Sequence, residues 1–126
     1  MKSIFKNVWP YQKDAKNLPV ADVEVAIPFY ETIMGFRLIS RNDVPFKSAL
    51  LERDDIQIGF AENGGAPTQD GCFFEVDNAE TAFAELKSNG LEQQEPKFEI
   101  QTYGHAYKVY LMLVPDGLCY CLGEPQ

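Results

Sequence analysis

The sequence is poor in cysteine, in positive charge and in long apolar runs, and each shortage excludes something. Three cysteines, Cys72, Cys119 and Cys121, without a CxxC spacing, make neither a disulfide framework nor a zinc knuckle. They read as small buried hydrophobes in a reducing compartment. Only 11 basic residues stand against 19 acidic ones, a net charge of −8. A phosphate backbone needs a basic stripe and an anionic membrane surface needs a polybasic patch, so neither nucleic acid nor membrane is expected as a partner. The excess acid is first a solubility device, and it can also steer a cationic ligand. The longest apolar run, Val109–Val114, is six residues, against the roughly 20 that span a bilayer. The opening Met1-Lys2-Ser3-Ile4-Phe5-Lys6-Asn7 meets charge before an apolar signal region can form. The expectation is a cytoplasmic protein.

What is present is a globular composition, 45% hydrophobic and 13% aromatic over 126 residues. A chain of that length buries roughly two-thirds of its unfolded surface and needs no staple. It also contains a repeat. Val20-Ala21-Asp22-Val23-Glu24-Val25-Ala26-Ile27 matches Val76-Asp77-Asn78-Ala79-Glu80-Thr81-Ala82-Phe83. Each copy follows a strand-like stretch and offers an N-cap, Asp22 or Asn78, with a glutamate in the first turn. Each helix ends before a glycine, Gly35 or Gly90, suited to a left-handed cap. The spacing predicts helices over about Val23–Met34 and Ala79–Asn89. Pro28 should kink or delay the first, at a cost of ~3 kcal/mol.

Strand patterns follow each helix: Phe36–Ser40, Phe46–Leu51 and Ile56–Ala61, then Phe98–Thr102, Tyr107–Val114 and Leu118–Leu122. Arg53-Asp54-Asp55 and Pro115-Asp116-Gly117 make the matching turns. Asn63-Gly64-Gly65-Ala66-Pro67 links the halves. The division is an arm over residues 1–12, a first βαβββ module over 13–66 and a second over 67–126, within a single domain. In the arm, Ile4, Phe5, Val8 and Trp9 precede Pro10, either packing on their own subunit or reaching a partner.

This order resembles the vicinal-oxygen-chelate superfamily of glyoxalase I, extradiol dioxygenases and fosfomycin- and bleomycin-resistance proteins. The carrying residues are Leu18-Pro19-Val20-Ala21-Asp22, Ala26-Ile27-Pro28-Phe29-Tyr30 and Met34-Gly35-Phe36. In the second half they are Phe74-Glu75-Val76-Asp77, Phe83–Gly90, Pro115-Asp116-Gly117 and Leu122-Gly123-Glu124-Pro125. The resemblance implies an α+β fold in which two βαβββ modules form an open cup of curled mixed sheet, with helices outside.

Enzymes of that group hold a divalent metal on four cup-facing residues, usually His, His or Gln, Glu and Glu. Carried over, those positions are Ala15, Gln57 or Gly59, Gly71 and Cys121; a one-residue slip gives Asp14, Cys72 and Tyr120. Neither set is a hard-metal site. One histidine, His105 in the loop Tyr103-Gly104-His105-Ala106-Tyr107, is too few. No metal and no other cofactor is expected.

The resemblance is closest in pattern to metal-free bleomycin-resistance proteins, which pair as homodimers and sequester a small molecule between subunits. Strand alternation makes Gln57, Gly59, Phe73, Glu75, Cys119 and Cys121 face the cup, with Tyr107 and His105 near its mouth. No catalytic residue is assigned. Two alternatives stay open: a metal-dependent lyase or dioxygenase with displaced ligands among Gln57, Glu62, His105 and Glu124, and a metal-free enzyme using Glu75, Tyr107 or His105 as acid or base.

Overall fold

The computed structural model describes residues 2–11, 14–67, 70–94 and 96–126. Met1, Gln12 and Lys13, at the expected ends of the arm and the first module, lie outside them. The elements in order are β1 (Phe5–Pro10), β2 (Leu18–Pro19), α1 (Val23–Thr32), β3 (Arg37–Asn42), β4 (Ser48–Arg53), β5 (Ile56–Ala61), β6 (Gly71–Val76), α2 (Ala79–Ser88), β7 (Glu99–Tyr103), β8 (His105–Leu113) and β9 (Cys119–Pro125).

Both helices start where the capping chemistry puts them. The Asp22 carboxylate accepts from Glu24 N–H at 2.9 Å and Val25 N–H at 3.3 Å. Asn78 Oδ1 accepts from Thr81 N–H at 2.8 Å. A second cap repeats across the halves. Glu62, just past β5, accepts from Val23 N–H at 3.0 Å, and Glu124 of β9 accepts from Ala79 N–H at 3.0 Å. These two carboxylates, considered above as displaced metal ligands, thus satisfy the first orphan amide of each helix.

Pro28 does not delay α1, which begins at Val23 and runs through it. Val23, Ala26, Ile27 and Tyr30 bury one face of the helix, and Pro28 lies on the exposed face. The carbonyl it leaves unpaired, on exposed Glu24, can be hydrated.

The two halves form two mixed, unclosed sheets with the same internal order. The smaller is β2-β5-β4-β3, with β2 parallel to β5; the larger is β6-β9-β8-β7, with β6 parallel to β9. Residues expected as an arm form β1, which adds antiparallel to β6 at the edge of the larger sheet, Trp9 opposite Phe73 and Asn7 opposite Glu75. The first strand of the first half is short. Past it, Gly59 N–H still reaches Ala15 C=O at 2.9 Å.

The helices and the inner sheet faces share one core across both halves, including Phe5, Tyr30, Phe36, Phe60, Phe74 and Tyr120. Tyr30 is tied to the second half by its hydroxyl, 2.6 Å from that of Tyr120 and donating to Asp116 Oδ2 at 3.1 Å. Burial pushes both phenols well above their usual range and raises the Asp116 carboxyl.

A buried arginine closes the junction. Arg53, expected in a tight turn and found at the end of β4, donates to Met34 C=O at 2.6 Å, Ser3 C=O at 3.0 Å and Glu85 Oε1 at 2.7 Å. Its guanidinium lies 4.2 Å from the Phe5 ring centroid. The same Glu85 oxygen accepts from Ser3 N–H at 2.9 Å, and Asp54 Oδ2 accepts from Phe5 N–H at 2.8 Å. The N-terminal strand is thereby bound to both modules.

Candidate functional site

The face of the larger sheet opposite the helices carries its own apolar cluster, Phe73, Tyr107, Val109 and Cys121, separate from the main core. Alternation explains it: on β6, Cys72 and Phe74 point into the core, and Phe73 and Glu75 point away. Here a cleft of about 430 Å³ is lined by Trp9, Pro10 and Tyr11 from the N-terminal strand and its end, with Phe73, Tyr107, Leu111 and Cys121. Trp9 and Phe73 pack with centroids 5.6 Å apart and planes at 40°; Phe73 and Tyr107 meet edge-on at 5.1 Å and 71°. A second hollow of about 350 Å³, bordered by Lys97, Glu99, Gln101 and Val109, shares Leu111 and Cys121 with the first.

Gly123 makes room for this wall. A Cβ there would stand 2.4 Å from a Phe73 ring carbon, so the ring packs down over β9 only because that position has no side chain.

Of the residues expected to face a ligand, Phe73, Tyr107 and Cys121 come together in the cleft. Glu75 shares the face of Phe73 but lies outside the lining: its carboxylate accepts from Asn7 Nδ2 at 3.1 Å, and burial, then the charge of Glu75, raise the Tyr107 phenol above its ordinary value. His105 is not in a loop. It begins β8, opposite Tyr103 across the tight turn at Gly104, and stacks on Tyr107 with centroids 4.5 Å apart and planes at 29°.

Gln57 and Gly59 are not brought to this cleft. Gln57 donates to Glu52 within the smaller sheet at 3.1 Å, and a Cβ on Gly59 would lie 2.5 Å from Lys16 C=O. Cys119 shares the face of Cys121 but is half-buried outside the lining. Burial raises its thiol, and burial plus Asp70 pushes the core thiol of Cys72 up to about 12.

Tyr11 and Leu111 line the cleft without having been singled out, and Trp9, noted above only as part of the arm, joins them. Their signal is period two: Asn7, Trp9 and Tyr11 alternate with Val8, and Leu111 continues Tyr107 and Val109.

The donor chemistry does not fit the metal that this architecture holds in some enzymes. Among the described residues no group of three or more His, Cys, Asp or Glu could hold an ion. Of the inherited positions, Ala15 and Gly71 carry no donor atom, which leaves the neutral amide of Gln57 and the thiol of Cys121.

Residues 14–117 match the family described as the Glyoxalase/Bleomycin resistance protein/Dioxygenase superfamily. The chain belongs to this superfamily. No curated protein sequence matches it. Among solved structures, a bleomycin-binding protein complexed with bleomycin is 21% identical, with 91% of this chain and 99% of that one covered and a TM-score of 0.66. TnmS3, an antibiotic-binding protein from Streptomyces sp. CB03234, is 20% identical over 91% and 97%, with a TM-score of 0.65. A mutant glyoxalase I from Zea mays is 19% identical over 86% of this chain and 44% of that one, at 0.58. At these identities the likeness shows the glyoxalase/bleomycin-resistance fold. Among the described residues no helix is long and apolar enough to cross a membrane.

Proposed function

We propose that this superfamily member is a binding protein that sequesters a small organic molecule, without metal and without turnover, in the cleft beside Trp9, and that it works as a homodimer. The observation that carries the reading is the cleft itself. Its wall is aromatic and sulfur-bearing, its polar groups are few, and such surfaces hold organic ligands by burial. The solved relatives that bind bleomycin or another antibiotic support the same mode of action. The metal-enzyme alternative is disfavoured by Glu62 and Glu124, both engaged in capping helices. The metal-free acid–base alternative would draw on Glu75 and His105, which stand on different strands and outside the cleft's lining.

Elemental analysis of protein dialysed without chelator is expected to find far less than one equivalent of Zn, Ni, Mn or Fe per chain. A stoichiometric metal lost on replacing His105 or Gln57 would overturn the reading in favour of an enzyme.

A further inference from the structure

We infer that Asn63 is a site of spontaneous deamidation, converted with water to aspartate or isoaspartate, and that the conversion unlatches residues 14–17 from β5. Of the six asparagines two, Asn63 and Asn89, precede a glycine, the neighbour that least hinders attack of its own nitrogen on the side-chain amide. By sequence the two positions are equal. The structure separates them, and not by exposure, since Asn89 is exposed and Asn63 is half-buried. Both side-chain amides donate to a main-chain carbonyl, so that bond does not distinguish them either.

Asn89 is locked. It caps α2 with φ −80° and ψ −5°. Gly90 and Leu91 complete a Schellman turn, Gly90 N–H donating to Lys87 C=O at 3.1 Å and Leu91 N–H to Leu86 C=O at 2.9 Å. The attacking nitrogen is thus engaged, and a five-membered ring needs a ψ far from the helical value. Asn63 is free to turn. Glu62 N–H donates to Lys47 C=O at 2.9 Å, but among the described residues 63–66 make no main-chain to main-chain bond, and Gly64 N–H is unengaged. A Cβ at Gly64 would meet nothing within 4 Å. Gly65 N–H donates to Asn63 Oδ1 at 2.9 Å, the oxygen on which negative charge gathers as the ring closes.

In the reaction Gly64 N bonds to Asn63 Cγ and gives up its proton, and the Cγ–Nδ2 bond breaks. Nδ2 departs as ammonia with that proton, leaving a cyclic imide. Water then opens the imide at Cγ, giving aspartate, or at the main-chain carbonyl, giving isoaspartate. Nothing is oxidised or reduced.

The group that departs is the latch. Asn63 Nδ2 donates to the Asn17 main-chain carbonyl at 3.1 Å and to Asn17 Oδ1 at 3.2 Å. A carboxylate has no proton for either oxygen and repels both. Residues 14–17 are otherwise turned on themselves, Asn17 N–H donating to Asp14 C=O at 3.2 Å, and they meet β5 through the bond from Gly59 N–H to Ala15 C=O. Without the latch that bond opens more often.

The test incubates the native protein in mildly alkaline buffer and follows each Asn-Gly peptide by mass spectrometry after digestion. Position 63 is expected to convert several times faster than position 89. In urea, where turn and helix are both lost, the two should convert at similar rates. Equal rates in the native protein, a faster position 89, or a difference that survives in urea would overturn the assignment. The latch is read by hydrogen exchange at the Gly59 amide. Asn63→Asp should make that amide exchange several times faster, and Asn89→Asp should leave it unchanged. Unaltered Gly59 protection in Asn63→Asp would overturn the unlatching.

Discussion

At the scale of single residues, Arg53 is the side chain whose loss the fold should feel most. It is buried, it is matched by an equally buried Glu85, and it accounts for two further carbonyls. Removing one partner of such a pair leaves an uncompensated charge out of water. Arg53→Met should therefore cost about 3–5 kcal/mol in urea unfolding, and adding Glu85→Leu should recover most of it. A single variant within about 1 kcal/mol of the parent would show that the pair contributes little to stability. Sequence reading places Arg53 in a tight turn with Asp54 and Asp55; the two aspartates do turn the chain, and Arg53 is the last residue of β4. Its partners at Ser3, Met34 and Glu85 are 50, 19 and 32 residues away, and no local pattern announces a contact of that range. Phe73 and Cys121 were legible because alternation within one strand is local. Trp9 was not, because its place depends on which strand Phe5–Pro10 joins.

At the scale of elements, α1 carries a tension that the protein has not relieved. Its cap and its buried face hold it in register through a residue that cannot donate to the Glu24 carbonyl. Pro28 is exposed, so alanine there would restore the hydrogen bond without disturbing the core. Pro28→Ala should raise the unfolding free energy by about 1–3 kcal/mol with no change in the burial of Ile27 or Tyr30. Equal or lower stability, measured by denaturant melts, would mean that the ring makes a contact worth as much as the helix bond. Helix starts were legible to the residue, since Asp22 and Asn78 are short-range signals. β5 falls on the expected Ile56–Ala61, and the ends of the other expected strands moved by one to three residues; β9, expected to end at Leu122, runs to Pro125. Those limits are set by cross-strand partners such as Tyr107 opposite Pro125, which a single segment does not contain.

At the scale of the whole molecule, the helices cover one side of the sheets and leave the other with apolar groups in water. Trp9 and Tyr11 are each 45% exposed and Leu111 is 61% exposed, side by side around one cleft. A patch of that kind is what a second chain covers. Sedimentation at concentrations on the order of tens of micromolar should give a dimer of the 14.2 kDa chain. Leu111→Glu should shift it toward monomer, and a wild-type monomer under those conditions would refute the assignment.

The pairing of β1 has a consequence for the order of events during synthesis. Ile4 bonds to a residue 73 positions later and Ser3 to one 82 positions later. A ribosome makes the chain from its N-terminus, so β1 emerges long before β6 or Glu85 exists to receive it. It is made first and seated late. The cleft, lined by Trp9 of β1 and Cys121 of β9, cannot exist on a nascent chain until β9 has left the exit tunnel. The cleft is in this sense a property of the whole fold, and a chain cut short of β9 lacks it.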